Sequence, residues 1–547
     1  MKRRIALLLA AAFCFAAAAC GPAQRAHADP LALVPLPNGR AELGDGRVDL
    51  PSPLGYDAGI FQPEFVELFA QRTGIALAAD APAFLRVNQD ESLPPEGYRL
   101  RVAEENGVEI EAADERGLCW ALTTLAALTQ DGTLPACGIE DAPYYPHRGF
   151  LMDSARHFFP VETVKALIEL TSMVKLNVFH WHLTDDQGWR IESKLYPALQ
   201  EQNIIPGEYY TQEEIREVVE FARVRGVEVI PEVDVPGHAS AILSAYPDLS
   251  CSGKPVKVAD YPGIRSVILC AGQEPVFDLL FPLLEEIAGL FPSARFHLGG
   301  DEAPKDEWAK CPRCQQRMEE EDLASLDELQ GWFTARLAAH MKTLGKSAIC
   351  WNESLLSERF PQDVEGVTIQ YWAEVHSAGQ VRRFWERNSR IIFSDEFGAH
   401  FDLPYGALPL KQAYSYGPGA LGFQGKGLPA LGLEACIWTE FIDTQESLAA
   451  MTFPRTYATA EAAWTAPERK DYKDFRRRLD LWLAKYPGIG FTPPEQADPR
   501  FIARYKSTFA FLRKLSSALD KDHPDNAGMG GKLEWRYALR WFKYYFL

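Results

Sequence analysis

The chain has 547 residues, with 56 Lys+Arg against 75 Asp+Glu and a formal net charge of −19. That balance excludes a nucleic-acid binder driven mainly by phosphate contacts, which needs a basic footprint. At 47% hydrophobic and 24% charged, the composition is that of a folded globular protein with a sizeable core and not of a disordered chain.

The first twenty residues differ from the rest. Lys2, Arg3 and Arg4 precede the apolar run Ile5 to Ala19 and then Cys20, the pattern of a secretory signal rather than of structure. The run is short for a membrane span, and no uncharged apolar stretch of about 18 residues follows later. Ala17-Ala18-Ala19-Cys20-Gly21 resembles a bacterial lipoprotein processing site. Residues 1–20 are therefore expected to be a signal peptide of lipoprotein type, with Cys20 as the lipidated first residue, the alternative being ordinary cleavage near Ala26 to Ala28. An exported bacterial protein follows, periplasmic or on the outer membrane, touching a membrane only through that anchor.

Export changes how the cysteines read, because disulfides persist in oxidising compartments. Cys251 and Cys270 bracket a Gly- and Pro-containing stretch and are expected to staple it as a disulfide. Cys311-Pro-Arg-Cys314 is half of a zinc pattern, but no second such pair and no paired His follows at finger spacing. A local disulfide or two free thiols is expected there, and no metal.

Residues 31–143 read as a small α+β domain. Tyr98 to Val102 and Val108 to Ala112 alternate polar and apolar around the turn Glu105-Asn106-Gly107, a hairpin. Leu118, Leu122, Leu125 and Leu128 then recur at the spacing of one helix face.

From residue 144 to 470 short apolar runs alternate with helical patterns. Strands are expected at Gly149–Asp153, Asn177–Thr184, Val227–Asp234, Arg295–Gly300, Ser347–Trp351, Val367–Trp372, Arg390–Ser394 and Gly432–Trp438. Between the second and third, Thr211 and Glu214 form a capping box and Gly226 closes the helix. Eight strands alternating with helices give an α/β fold, a (β/α)8 TIM barrel with its chemistry at the C-terminal strand ends. Residues 471–547 read as C-terminal helices, whose aromatic end Trp535 to Phe546 is expected to pack against the barrel.

The strand ends present Asp153 and Arg156; His182, Asp185 and Asp186; Asp234 and His238; His297, Asp301 and Glu302; Trp351 and Glu353; Trp372; Asp395; and Trp438 with Glu440. Charged groups and tryptophans thus converge on one rim. His180-Trp-His182 with nearby aspartates would suit a divalent metal, but such a site also wants His or Lys from the middle strands, where Trp351 and Trp372 stand. The alternative is acid/base work by carboxylates, with tryptophans as a wall on which a sugar ring stacks.

His297-Leu-Gly-Gly-Asp-Glu302 resembles the signature of the glycoside hydrolase family 20 β-N-acetylhexosaminidases. Asp153-Ser-Ala-Arg-His-Phe158, His180-Trp-His-Leu-Thr-Asp-Asp-Gln187, Glu232-Val-Asp-Val-Pro-Gly-His238 and Glu434-Ala-Cys-Ile-Trp-Thr-Glu440 agree with it in order, and the resemblance covers residues 31 to 470. It implies an exo-acting retaining enzyme that removes terminal N-acetylglucosamine or N-acetylgalactosamine from a carbohydrate, with no cofactor and no metal.

It implies Glu302 as general acid and then base, and Asp301 as the partner of the substrate's own 2-acetamido group, whose oxygen is the nucleophile. Arg156 and Glu440 would bind hydroxyls, Asp185 and His238 would orient Glu302, and Trp351, Trp372 and Trp438 would wall the pocket. Where the family often shows Tyr-Leu-Asp, its tyrosine bonding the acetamido carbonyl, this chain has His400-Phe401-Asp402. Asp402 is carried over as a binding residue, and His400, Tyr405, Tyr414 or Tyr416 would supply the missing hydrogen bond. Two other readings remain at this point: a retaining glycosidase using Glu302 with Glu353 or Glu440, and a non-catalytic sugar-binding lipoprotein.

Overall fold

The computed structural model describes residues 32–486, apart from 261–262, 358, 360–365, 374–377, 404, 406 and 420–428. The signal segment, Cys20 and the aromatic end Trp535 to Phe546 lie outside the described residues.

A seven-stranded sheet comes first, formed by β1 (Ala41–Asp49), β2 (Leu54–Asp57), β3 (Leu77–Ala78), β4 (Leu85–Gln89), β5 (Tyr98–Ala103), β6 (Gly107–Ala112) and β7 (Thr133–Asp141). Its spatial order is β1-β7-β5-β6-β4-β2-β3. The β5–β6 pair is the expected hairpin, with Tyr98 opposite Ala112 and Ala103 opposite Gly107. Gly107 takes φ +72°, and a Cβ there would lie 2.4 Å from the Phe84 carbonyl, so the turn demands glycine. Helix Glu115–Leu128 starts at Asp114, whose carboxylate accepts from the Gly117 N–H. Leu118, Leu122, Leu125 and Leu128 are buried, and so is nearly every other side of this helix, because the sheet covers one face and the barrel the other.

The barrel closes in the order β8 (His147–Asp153), β9 (Val178–His182), β12 (Glu228–Glu232), β13 (Arg295–His297), β14 (Ser347–Trp351), β15 (Thr368–Tyr371), β16 (Ile391–Phe393) and β17 (Gly432–Ile437). All eight expected strands are present and parallel. A short hairpin that the sequence pattern did not announce, β10 (Thr184–Asp185) with β11 (Gly188–Trp189), follows β9. The helix Gln212–Arg223 carries the expected Thr211–Glu214 capping box, and Gly226 follows it at φ +73°. Side chains alternate along the strands: Phe150, Met152, Phe179, Trp181, Val229 and Phe296 join the large apolar core beneath the helices, while Val178, Ile230, Ile349 and Ile392 form a separate small cluster.

The sheet domain docks at the N-terminal ends of barrel strands, away from the rim that carries the chemistry. Glu96 accepts from Trp120 Nε1 at 2.8 Å, from Arg148 Nη2 at 2.5 Å and from Asn177 Nδ2 at 2.7 Å. Lys175 pairs with Asp141 at 3.0 Å, and Arg116 with Glu228 at 3.2 Å. After the barrel, helix Tyr472–Lys485 is tied back by Arg478, which donates to both oxygens of Glu461 at 2.7 Å.

The expected Cys251–Cys270 disulfide is not formed, and no bridge joins Cys311 to Cys314. All eight cysteines of the described residues are free. Cys251 lies 3.7 Å from Cys314 between sulfurs, because the loop that the first pair brackets folds onto the start of helix Pro312–Glu320.

Candidate active site

The segment after β13 is shaped by two glycines in the left-handed region, Gly299 at φ +64° and Gly300 at φ +99°. A Cβ on Gly299 would sit 1.8 Å from Asp234 Oδ1, so the backbone can reach that carboxylate only without a side chain. The Gly300 N–H donates to Asp234 Oδ1 at 2.9 Å, and Gln330 Nε2 donates to the Gly300 carbonyl at 2.7 Å. The turn delivers Asp301 and Glu302 to the rim. Glu302 at φ +44° and His238 at φ +47° are left-handed without being glycine, a cost of about 1–3 kcal/mol each that persists only where the surroundings impose it.

Asp185 is the junction of the site. Its carboxylate accepts from His182 Nε2 at 2.9 Å and from His238 Nδ1 at 3.0 Å, and pairs with Arg156 Nη2 at 2.7 Å. Burial alone would raise its pKa, yet Arg156 and His238 hold it well below the usual carboxylate range. The far nitrogen of His238 lies 3.7 Å from Asp301 Oδ2 and 3.6 Å from Glu302 Oε2. Burial would strip this imidazole of its proton, but the Asp185 carboxylate outweighs burial and keeps its pKa well above the ordinary value. His238 thus stands as a cation between carboxylates.

Asp301 is raised, by burial first and also by the charge of Glu302, with His238 opposing. Asp234 is raised well above its usual range by burial and by the neighbouring Asp301 carboxylate. Asp301 Oδ1 and Arg156 Nε are buried without a hydrogen-bond partner among the described residues. Unpaired buried polar atoms cost free energy unless a ligand satisfies them.

Aromatic rings close the site. Trp351 and Trp438 lie 5.9 Å apart, Trp438 sits 5.1 Å below the Arg156 guanidinium, and Trp372 stacks on His400 at 6.1 Å and 12°. Glu440 reaches Arg156 at 3.9 Å. Asp402 is raised well above the usual range by burial and by the charge of Glu440, and it stands two residues beyond His400, which meets both Trp372 and Trp438. Trp372 Nε1 donates to both oxygens of Glu353 at 3.0 Å. Burial and the Asp301 charge push the Glu353 pKa up to about 8, so this carboxyl is neutral at pH 7 and unsuited to act as a nucleophile.

All ten residues expected at the site therefore meet on the rim. The tyrosines offered as substitutes for the acetamido contact are engaged elsewhere: Tyr405 donates to the Ala450 and Phe453 carbonyls, Tyr414 to Glu461, and Tyr416 accepts from the Asp395 N–H. His400 is the one of the four that stacks against the tryptophan wall.

Sequence reasoning missed what lies beneath the rim. Glu232 accepts from His182 Nδ1 at 2.5 Å and Trp351 Nε1 at 2.8 Å, and pairs with His297 at 3.0 Å and His180 at 3.2 Å. Glu434 accepts from His147 Nε2 and His180 Nδ1, each at 2.8 Å, and from Gln370 Nε2 at 2.7 Å. The Glu232 group has donor atoms close enough for a metal, yet both carboxylates already accept hydrogen bonds. The available signal was the spacing of His180 and His182, two residues apart and so on the same face of one strand.

Residues 145–467 match the model of "Glycosyl hydrolase family 20, catalytic domain", and residues 57–142 that of "Glycosyl hydrolase family 20, domain 2". A beta-hexosaminidase of Porphyromonas gingivalis is 34% identical over 488 residues, covering 80% of this chain and 61% of that protein. The structure of a beta-N-acetylhexosaminidase from Bacteroides fragilis superposes with a TM-score of 0.75 at 32% identity, over 85% of this chain and 98% of that one. An exo beta-N-acetylglucosaminidase from Vibrio harveyi, solved in complex with N-acetylglucosamine, gives 0.73 at 30% identity, over 87% and 80%.

Proposed function

The chain belongs to glycoside hydrolase family 20, and on that premise we propose that it is an exo-acting, retaining β-N-acetylhexosaminidase that releases terminal N-acetylglucosamine or N-acetylgalactosamine. The observation that carries this reading is the adjacency of Asp301 and Glu302 on one strand end, with His238 within 3.7 Å of both. Two neighbouring carboxylates are poorly placed to flank a sugar from opposite faces. The attacking group must come from elsewhere, and the substrate's acetamido oxygen is in reach of the anomeric carbon.

In this scheme Glu302 donates its proton to the glycosidic oxygen as that bond breaks, while the acetamido oxygen bonds the anomeric carbon. Asp301 accepts from the acetamido N–H and stabilises the positive charge of the oxazolinium ion as it forms, an interaction strongest in the transition state. Glu302, now ionised, takes a proton from water, which reopens the ring with overall retention. Arg156, Glu440 and Asp402 bind outer hydroxyls, and the three tryptophans exclude water and stack on the ring.

Turnover of aryl β-glycosides tests this directly. Rapid cleavage of the N-acetylglucosamine and N-acetylgalactosamine glycosides with a nearly inert glucoside is expected. Comparable turnover of the glucoside would falsify substrate assistance and favour the two-glutamate scheme, and inertness toward all three would leave a sugar-binding protein.

Export and lipidation at Cys20 belong to the same proposal, supported by Lys2 to Arg4, the apolar run and the small residues before Cys20. Cells making the chain should label it with palmitate, and a Cys20→Ala chain that still labels would refute the anchor.

A further inference from the structure

Four cysteines outside the catalytic rim converge on one point. Cys251 and Cys270 come from the segment that follows β12 and His238, and their backbones meet across a bridge between Ser250 and Leu269. Cys311 and Cys314 come from the segment after β13, where Cys311 is the N-cap of helix Pro312–Glu320. The sulfurs of Cys251 and Cys314 are 3.7 Å apart, those of Cys270 and Cys311 3.8 Å, and those of Cys270 and Cys314 3.6 Å. All four lie within 4.8 Å of one another.

These separations discriminate between the chemistries open to four thiols. A disulfide needs sulfurs about 2.05 Å apart, so each pair would have to close by more than an ångström. Four thiolates about 2.3 Å from a central zinc ion at tetrahedral angles have sulfurs about 3.8 Å apart. The spacings match the second case.

The surroundings agree. Cys270, Cys311 and Cys314 are at most 5% exposed and Cys251 is half-buried, so four sulfurs surround the point with most of the cluster covered, as suits a structural rather than a catalytic metal. The helix N-terminus favours thiolate at Cys311 and Cys314. Arg313, whose Nη2 donates to the Cys251 carbonyl at 3.0 Å, brings a cation beside a site that would carry net negative charge. Gly272 is packed so closely that a Cβ would lie 2.2 Å from the Arg313 backbone carbon, which lets the loop approach the Cys-Pro-Arg-Cys turn.

We propose that Cys251, Cys270, Cys311 and Cys314 bind one structural zinc ion. Binding displaces the thiol protons to solvent and leaves the metal divalent. The ion would tie the segment that carries His238 to the segment that carries Asp301 and Glu302, alongside the hydrogen bond from Trp308 Nε1 to the Leu269 carbonyl at 2.9 Å. This reverses the expectation drawn from spacing, because the second pair of ligands is not a second Cys-x-x-Cys but two cysteines 19 residues apart, at 251 and 270.

Elemental analysis of the full chain, purified without chelator, should find about one zinc per chain, and alkylation of the unfolded, unreduced protein should modify all four thiols. A metal-free protein with the four sulfurs unreactive until reduced would establish two disulfides and overturn the proposal. Iron in place of zinc would overturn it as well. Cys311→Ser with Cys314→Ser should lower the zinc content at least tenfold. Because that variant can fail to fold, the unmodified chain is also exchanged with cobalt. It should then show the intense visible bands of tetrahedral cobalt and thiolate charge-transfer absorption, and weak octahedral bands would refute a four-sulfur site.

Discussion

The interior of the barrel and the core of the leading domain are both buried, and they are filled with opposite materials. The leading domain packs Leu85, Val87, Leu100, Ile110, Leu118, Leu125 and their neighbours into one apolar cluster. The barrel interior holds His147, His180, His182, Glu232, His297 and Glu434, each at most 1% exposed. Apolar burial stabilises without fixing orientation, whereas a buried carboxylate is tolerable only when its donors stand in particular places. Burial penalises the charged form throughout, yet the carboxylates hold His180 up at about 9 and His182 well above its usual range, while burial lowers His147 and His297. Two cations then balance Glu232 and Glu434. The chain Glu232–His182–Asp185–His238 carries that order upward to Asp301 and Glu302, so the barrel interior positions the catalytic rim and the leading domain contributes stability from the opposite end.

The sharpest way to break this contrast is at its top. Glu302→Gln should lower kcat about 10²- to 10⁴-fold for glycosides with poor leaving groups, and much less for leaving groups that need no proton. Equal losses across leaving groups would show that Glu302 does something other than proton transfer. Asp301→Asn should cost about 10²- to 10³-fold with little change in KM. Because burial and the Glu302 charge raise the Asp301 pKa, the acid limb of the wild-type kcat profile should lie above the ordinary carboxylate value of 3.8 and vanish in Asp301→Asn. An unchanged limb would assign it to another group.

One level down, Glu232→Gln removes the charge that four side chains surround. Breaking a buried pair costs about 3–5 kcal/mol, read as a lower denaturation midpoint, and kcat should fall with it because His182 and Asp185 lose their register. The same network makes stability depend on pH. Glu232 and Glu434, held below their ordinary 4.5 by the imidazoles despite burial, add stability above pH 4.5 that is lost as pH falls. His180, raised from 6.5 to about 9, adds stability below pH 6.5 that is lost as pH rises through 9. The contributions of these three groups are complete together between about pH 4.5 and 6.5, while His147 and His297, lowered by burial, add stability above pH 6.5 that is lost as pH falls below it. The denaturant midpoint should therefore move with pH, and a flat one from pH 4 to 9 would contradict a charged interior.

The apolar side of the contrast predicts a separable effect. Leu118 is fully buried in the leading domain, and Leu118→Ala should destabilise by about 2–5 kcal/mol while leaving kcat per folded molecule unchanged. A loss of kcat in the folded variant would mean that the docked domain shapes the rim after all.

Legibility in the sequence followed the range of the physics. All eight barrel strands were readable, because short apolar runs and caps such as Thr211–Glu214 are local. The rim was readable because charged residues and tryptophans stand where strands end. The interior network was not, since the partners of Glu232 come from three other strands and only closure of the barrel brings them together. The cysteine cluster misled for the same reason: 63 residues separate Cys251 from Cys314, and adjacency in the chain suggested the wrong pairing.

The smallest effect is expected where the chain departs from its family. Burial pushes the His400 pKa down to about 3, so the ring is neutral wherever the enzyme works. The nearby Ser394 backbone offsets burial only in part, and Nε2 is buried with no hydrogen-bond partner among the described residues. A neutral imidazole with its proton on one nitrogen has only a lone pair on the other. Nε2 can donate to an acetamido oxygen only in the tautomer that carries the proton there. The contact that the ring makes is a flat stack on Trp372, and with that as its role the acetamido oxygen is held by its own bond to the anomeric carbon as cyclisation proceeds. His400→Phe keeps that surface and should lower kcat/KM less than about tenfold, against the far larger losses at Asp301 and Glu302. His400→Tyr supplies a hydroxyl donor at the position where the family often places one and should equal or exceed the wild type. A hundredfold loss in His400→Phe, restored by tyrosine, would show that the imidazole turns its proton inward and grips the substrate after all.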